Sequence, residues 1–292
     1  MILSIGEILA DMIGEEKNGT QTFRACCGGA PFNVAVNAKR AGAKVGFIGR
    51  VGKDSIGRFL QAQVEKAGLD YTDVQTDEHR NTTLAFVALK DGERDFAFYR
   101  HDTADFHIKT SAIDFKNKEI NIVHLGSLML SETSGRKCAR KVLKKVRSLG
   151  KKLSFDVNFR KDIYKDFEEA VKLYRPYIEN ADIVKFSEDE ILEYTGQRDL
   201  QSAMNSVYRK DSLLIVTLGA QGCTYRLNGL QGSVPPERVT PVDTTGAGDA
   251  FFGTFLADIE GKEWNKENIE NALKKANIAG ALTTQFLGAL QL

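Results

Sequence analysis

Apolar residues follow two alternating rhythms along the chain. Short continuous runs occupy Met1–Gly6, Lys44–Gly49, Asn121–Leu125, Lys152–Val157, Asp182–Phe186 and Leu213–Leu218. A run with no polar alternation predicts a strand buried on both faces of a parallel sheet. Between these runs the apolar spacing changes to three and four. In Ser55–Ala67, the side chains of Ile56, Phe59, Leu60, Val64 and Ala67 share one helical face. The same pattern recurs in Glu132–Leu149, Phe167–Glu179, Ser187–Thr195 and Asn268–Phe286. Strand and helix alternating in this way predict a doubly wound α/β fold, a mostly parallel sheet flanked by helices.

Two stretches break the rhythm. Ile13–Arg24 is polar and contains glycine directly after the first strand. Thr82–Arg100 reads as a hairpin, with Leu84–Leu89 and Arg94–Arg100 as its arms and Asp91-Gly92 as a two-residue turn. Together they predict a small antiparallel β-lid, from segments near 12–25 and 82–105, inserted into one domain spanning residues 1–292. No internal repeat or low-complexity segment interrupts that domain.

Composition narrows the function classes. Hydrophobic residues make up 42% and charged residues 27%, an ordinary balance for a globular enzyme. The net charge is +1, without the basic excess of a nucleic-acid binder. Lys137–Lys152 is rich in cations, but Val142, Leu143, Val146 and Leu149 alternate with them, as on the solvated face of a helix. The four cysteines have no zinc or C-x-x-C spacing, which fits a reducing, cytoplasmic setting. The N-terminus lacks a basic leader, and no apolar run approaches the ~18 residues that span a bilayer. The expected partners are therefore small molecules, not nucleic acid or membrane.

The sharpest chemistry lies in Asp243-Thr244-Thr245-Gly246-Ala247-Gly248-Asp249-Ala250-Phe251-Phe252-Gly253. Gly246 and Gly248 let the backbone turn into a helix, whose first N–H groups stabilise an anion. An acid at that point would repel a phosphate. Asp249 makes sense there as the base that takes a proton from an attacking hydroxyl; it also makes sense as a first-turn acid opposing the helix dipole. Gly28 and Gly29 would let the backbone approach a small polyol, and Asn33 sits where a helix begins, as a hydroxyl ligand or a cap. Asp11 follows the first strand at the edge where α/β sheets bind ligands. Ser187 and Glu190 form a capping box. Arg160 stands just past a strand end, where a cation can steady a transferring phosphate or pair with a surface acid. No G-x-x-x-x-G-K-S/T, H-E-x-x-H or G-x-S-x-G occurs. The four histidines lack metal spacing, and His124, in an apolar run, reads as a core residue.

The stretch DTTGAGDAFFGTFLA resembles the C-terminal signature of the ribokinase/PfkB family of carbohydrate kinases. Gly28-Gly29-Ala30-Pro31-Phe32-Asn33-Val34-Ala35, continuing through Gly46–Gly57, resembles the N-terminal one. The two stand in the family's order, and the resemblance covers essentially the whole chain. It implies a ribokinase-like fold and ATP-dependent phosphorylation of a sugar primary hydroxyl, with Asp249 as base and the N–H groups of Ala247, Gly248 and Asp249 as the anion hole around Gly246. It further implies sugar contacts from Asp11, Gly28, Gly29, Asn33, Tyr99 and Arg100, and nucleotide contacts from Thr217, Gly219, Gly222 and Asn277. Glu190 would place magnesium through water, although Ser187 stands where the family carries Asn. Asp243 and Thr245 match a loop that binds potassium in some members. A homodimer would form through the β-lid. Fructose is the expected acceptor; 2-keto-3-deoxygluconate, a nucleoside and a catalytically silent sugar sensor are the alternatives.

Overall fold

The computed structural model describes every residue except Asn18, Asp91, Gly92, residues 160–162 and Lys165. The Asp91-Gly92 turn and Arg160 therefore lie outside the described residues. In chain order the elements are β1 (Ile2–Ile5), β2 (Leu9–Lys17), β3 (Thr20–Gly28), α1 (Ala30–Arg40), β4 (Val45–Gly52), α2 (Ser55–Lys66), β5 (Tyr71–Asp77), β6 (Leu84–Lys90) and β7 (Glu93–Tyr99). Then follow β8 (Ile122–Leu125), α3 (Thr133–Ser148), β9 (Lys152–Asp156), α4 (Phe167–Asn180), β10 (Ile183–Ser187), α5 (Glu188–Thr195), α6 (Leu200–Val207) and β11 (Leu213–Thr217). The chain closes with β12 (Cys223–Leu227), β13 (Leu230–Val234), α7 (Ala247–Ile259) and α8 (Lys266–Thr283).

All six apolar runs are strands of one nine-stranded sheet, ordered β13-β12-β11-β10-β9-β8-β1-β4-β5. Pairing is parallel from β11 through to β5, and β12 and β13 extend the sheet antiparallel. The chain leaves β1 toward β4 and β5, then returns to β8 and builds the other side. β1 and β8 thus flank the switch point, beyond whose strand ends open α/β sheets bind ligands. Two apolar clusters cover the faces of the sheet, one with α3, α4, α5 and α6, the other with α1, α2, α7 and α8. Helix α3 buries Cys138, Ala139, Val142 and Val146 and exposes its lysines, as the pattern predicts. His124 is a buried core residue on β8, and its imidazole is pushed down to about 3 by burial, hence neutral.

Four elements escape the apolar pattern. Strand β5 is a partly exposed edge with few apolar residues. The hairpin of β12 and β13 turns at Asn228 and Gly229, both with positive φ (46° and 81°), so the Asn-Gly pair was its signal. Helix α6 is only eight residues, started by the Asp199 cap on Ser202.

A second sheet of four strands, ordered β3-β2-β6-β7, carries the two segments read as a lid. Each hairpin is antiparallel, and the two join through a parallel contact of β2 with β6. Its strands reach back to Leu9 and Gly28, so the second sheet grows directly out of the residues next to the switch point.

Candidate active site

The N-terminus of α7 meets the C-terminal ends of the parallel strands. Gly246 caps the helix at φ 77°, and a Cβ there would come within 2.7 Å of the Ala289 Cα, so only glycine fits. Asp243 is buried just before the turn, where its carboxylate accepts the N–H of Thr245 (2.7 Å) and of Gly288 (2.8 Å). The N–H groups of Ala247, Gly248 and Asp249 open the helix, where α-helical geometry supplies no intrahelical acceptor, and that of Ala247 reaches back to the Thr244 carbonyl at 3.3 Å. Helix α7 lies close on α1 because Gly253 has no side chain; a Cβ there would meet the Val34 carbonyl at 2.5 Å. That close approach brings Asn33 Nδ2 to Asp249 Oδ2 at 2.8 Å, across 216 residues of sequence.

The Asp249 carboxyl faces a cavity of about 620 Å³. Protein atoms surround it, and this desolvation pushes its pKa to about 7, with Asn33 drawing it down and the Asp156 charge adding to the rise. Opposite stands Lys185, buried on β10, whose Nζ donates to both oxygens of Asp156 at 2.9 and 2.8 Å. Burial works against the Lys185 charge, but Asp156 and then Glu190 overcome it and hold its pKa above the ordinary value. A Cβ on Gly248 would lie 3.5 Å from Lys185 Nζ, so the cation faces the helix N-terminus across the cavity.

Asp11, Gly29, Asn33, Glu190, Thr217, Gly219, Thr245, Gly246, Gly248 and Asp249 all line this cavity. Gly28 stands behind Asp11, because a Cβ there would fall 2.1 Å from Asp11 Oδ2. Glu190 completes the capping box with Ser187, accepting the Ser187 N–H at 2.8 Å, and burial raises its pKa. Asp156, Glu188, Asp189 and Glu190 are carboxylates suited to a hard cation. Among the described residues no three His, Cys, Asp or Glu side chains converge as a metal cluster. Asp243 is engaged by the loop amides and does not face the cavity.

A second cavity of about 570 Å³ adjoins the first and shares Thr217, Gly219, Thr244 and Gly248 with it. Its walls include Gly222, Pro236, Ala247, Phe251, Asn277 and Gly280. Asn277 donates to the carbonyls of Val234 (3.2 Å) and Pro235 (2.8 Å), so it braces the wall.

Two expected sugar contacts are not where the sequence put them. On β7, Phe98 pairs with Ala85, which pairs with Asp11. These three share the face that looks into the cavity, and Phe98 lines it. Tyr99 pairs with Leu84 on the opposite face, 65% exposed against Phe86. Side chains of neighbouring strand residues point apart, so the adjacent position has the wrong parity. Arg100 is buried away from the cavity, with Nε and Nη2 on Asp105 (3.2 and 2.6 Å) and Nη1 on the Leu128 carbonyl (2.8 Å). Glu7, Phe98, Asp156 and Lys185 were missed as site residues. A lysine within the apolar run Asp182–Phe186 was the one available signal.

The profile of the pfkB family carbohydrate kinases matches residues 1–291. The chain belongs to that family. Among relatives of this carbohydrate kinase, a probable fructokinase-2 of Arabidopsis thaliana is 34% identical, covering 99% of this chain and 92% of that one. The fructokinase of Vibrio cholerae O395, solved with fructose, ADP and calcium, superposes with a TM-score of 0.88 at 32% identity, covering 99% and 94% of the two chains. The Xylella fastidiosa fructokinase with bound ATP gives 0.90 at 30% identity, covering 99% and 93%. No helix among the described residues of the kinase is long and apolar enough to cross a membrane.

The cavity wall at Gly248 can be tested directly. Gly248 has helical geometry, and its Cβ would make only ordinary contact with Lys185, so Gly248→Val should fold. The added methyl groups enter the space between Lys185 and the helix. We expect kcat/KM to drop by about 100-fold or more, as for a roughly 1 Å misplacement of reacting groups, with Tm nearly unchanged. A collapse in Tm with kcat retained would mean that the loop is structural.

Proposed function

We propose that this protein phosphorylates a primary hydroxyl of fructose with ATP. The observation that carries the reading is Asp249, partnered by Asn33, at the helix N-terminus between two adjoining cavities. One cavity presents hydroxyl-binding groups, and the other is walled by glycines, Pro236 and Phe251. ATP would lie with its base in the second cavity and its phosphates toward Gly248. The sugar oxygen loses its proton to Asp249 and attacks the γ-phosphorus; the bond to the β,γ-bridging oxygen breaks and ADP leaves. The α7 N–H groups and Lys185 steady the charge that develops on the phosphoryl oxygens. Glu190 and Asp156 would hold magnesium through water, which neutralises the triphosphate. A potassium ion would sit at the Asp243–Thr245 loop.

The acceptor end supports a neutral sugar over 2-keto-3-deoxygluconate. Its carboxyls, Glu7, Asp11 and Asp249, would oppose a substrate carboxylate. Among the described residues, Arg100 is already paired with Asp105 and Lys185 with Asp156. The second sheet would act as a lid that excludes water from ATP. Its outer face carries Met12, Phe23, Phe86 and Tyr99, with Phe23 and Tyr99 exposed, and would form a homodimer contact. Four free thiols suit the cytoplasm.

The test is an initial-rate panel of fructose, ribose, 2-keto-3-deoxygluconate, adenosine and fructose 6-phosphate. The reading expects the highest kcat/KM for fructose; a higher value for the keto-acid would overturn the choice of sugar. Asp11→Ala should raise KM for fructose by roughly 10- to 100-fold, the equivalent of losing a charged hydrogen bond, while KM for ATP holds. An equal rise in both constants would remove Asp11 from the sugar site.

A further inference from the structure

Glu7 has no part in phosphoryl transfer in the reading above, yet it occupies the centre of the fold. It follows β1 at the switch point, beside Gly126, which follows β8 on the paired strand. Its side chain is 1% exposed and lines the cavity of Asp249, Asp11 and Asn33. Its Oε2 is buried and finds no hydrogen-bond partner among the described residues. The fold makes room for that oxygen: a Cβ on Gly126 would lie 2.8 Å from it.

We propose that Glu7 determines acceptor specificity, with Oε2 forming a hydrogen bond to a sugar hydroxyl other than the one phosphorylated. The inference rests on the kinase reading and deepens it. A buried polar oxygen without a partner is costly, and in native proteins such groups point to a ligand or water. The Arg100 charge acts on Glu7, but four of its five N–H donors go to Asp105, the Leu128 carbonyl and Ser131, and none of these bonds reaches Glu7. The catalytic task belongs to Asp249, which alone stands in the first turn of α7 beside the anion-binding amides. Glu7 stands on the sheet floor, outside that turn, so it suits a hydroxyl that does not react. Burial pushes its pKa to about 7, so it can meet a hydroxyl as acceptor or as donor.

The experiment measures kcat/KM for the preferred sugar and its monodeoxy analogues in wild type, Glu7→Leu and Glu7→Gln, together with KM for ATP and Tm. In the wild type, one analogue should fall about 10- to 100-fold below the parent sugar, as for one lost hydrogen bond to a buried partner. In Glu7→Leu that penalty should vanish for that analogue alone, with KM for the parent sugar raised and KM for ATP unmoved. Glu7→Gln retains size and hydrogen bonding and keeps the test open if Glu7→Leu does not fold; there the penalty should shrink. A merely structural role would lower all sugars together and leave every deoxy ratio as in wild type, which overturns the proposal. No turnover of any sugar by the wild type would instead overturn the kinase reading on which it rests.

Discussion

Asp249→Asn should lower kcat by about 100- to 10,000-fold, the usual contribution of a general base, and leave the Kd for ATP nearly unchanged. Asparagine keeps the size of the side chain and can still pair with Asn33, so the fold and the cavity persist. It cannot accept the hydroxyl proton. The wild-type carboxyl, pushed to about 7 by desolvation, sits where a base works best near neutral pH. In wild type kcat/KM should therefore rise with pH through about 7, and the residual activity of Asp249→Asn should lack that limb. Stability moves the other way. The folded pKa of Asp249 stands above its ordinary 3.8, so the folded state binds the extra proton. Its stabilising contribution is full below about pH 4 and is lost as pH climbs through about 7. Glu7, also raised to about 7, adds to the same slope. Urea midpoints between pH 4 and pH 8 should show the fall, less steep in Asp249→Asn. Near-wild-type kcat in that variant would sink the mechanism.

The second large effect is at Lys185. Lys185→Met should reduce kcat by about 100- to 1,000-fold, the scale seen when one donor to a developing charge is removed. It also strips Asp156 of its bidentate partner in the interior. Breaking a buried pair costs roughly 3–5 kcal/mol, because the remaining charge is uncompensated. A Tm drop of several degrees should accompany the lost activity. The double variant Lys185→Met/Asp156→Asn isolates the cost to the fold, since Asp156 also belongs to the proposed magnesium site. Removing both charges should recover most of the Tm without the turnover. If turnover returns with the Tm, Lys185 serves only the fold.

The sequence by itself determined most of the local structure and the helix start at which Asp249 stands. Six apolar runs became the six predicted strands, since a strand buried on both faces must be apolar throughout. The helices followed from their three-four spacing. The turn at Gly246 and Gly248 placed Asp249 at a helix start because glycine and helix geometry act within a few residues. The tertiary structure decided what those signals do not encode. Asn33 reaches Asp249 across 216 residues because two helices pack tightly. Lys185 meets Asp156 because β9 and β10 are neighbours in the sheet. Phe98 rather than Tyr99 faces the cavity because strand register sets the parity of every side chain. Arg100, which looked free to bind a substrate, is consumed by Asp105 and Leu128. Glu7 reaches the floor of the cavity because β1 and β8 are neighbours in the sheet. Periodicity and turn chemistry are short-range and are written along the chain. Pairing, register and desolvation depend on which distant strands become neighbours, and only the folded chain supplies that.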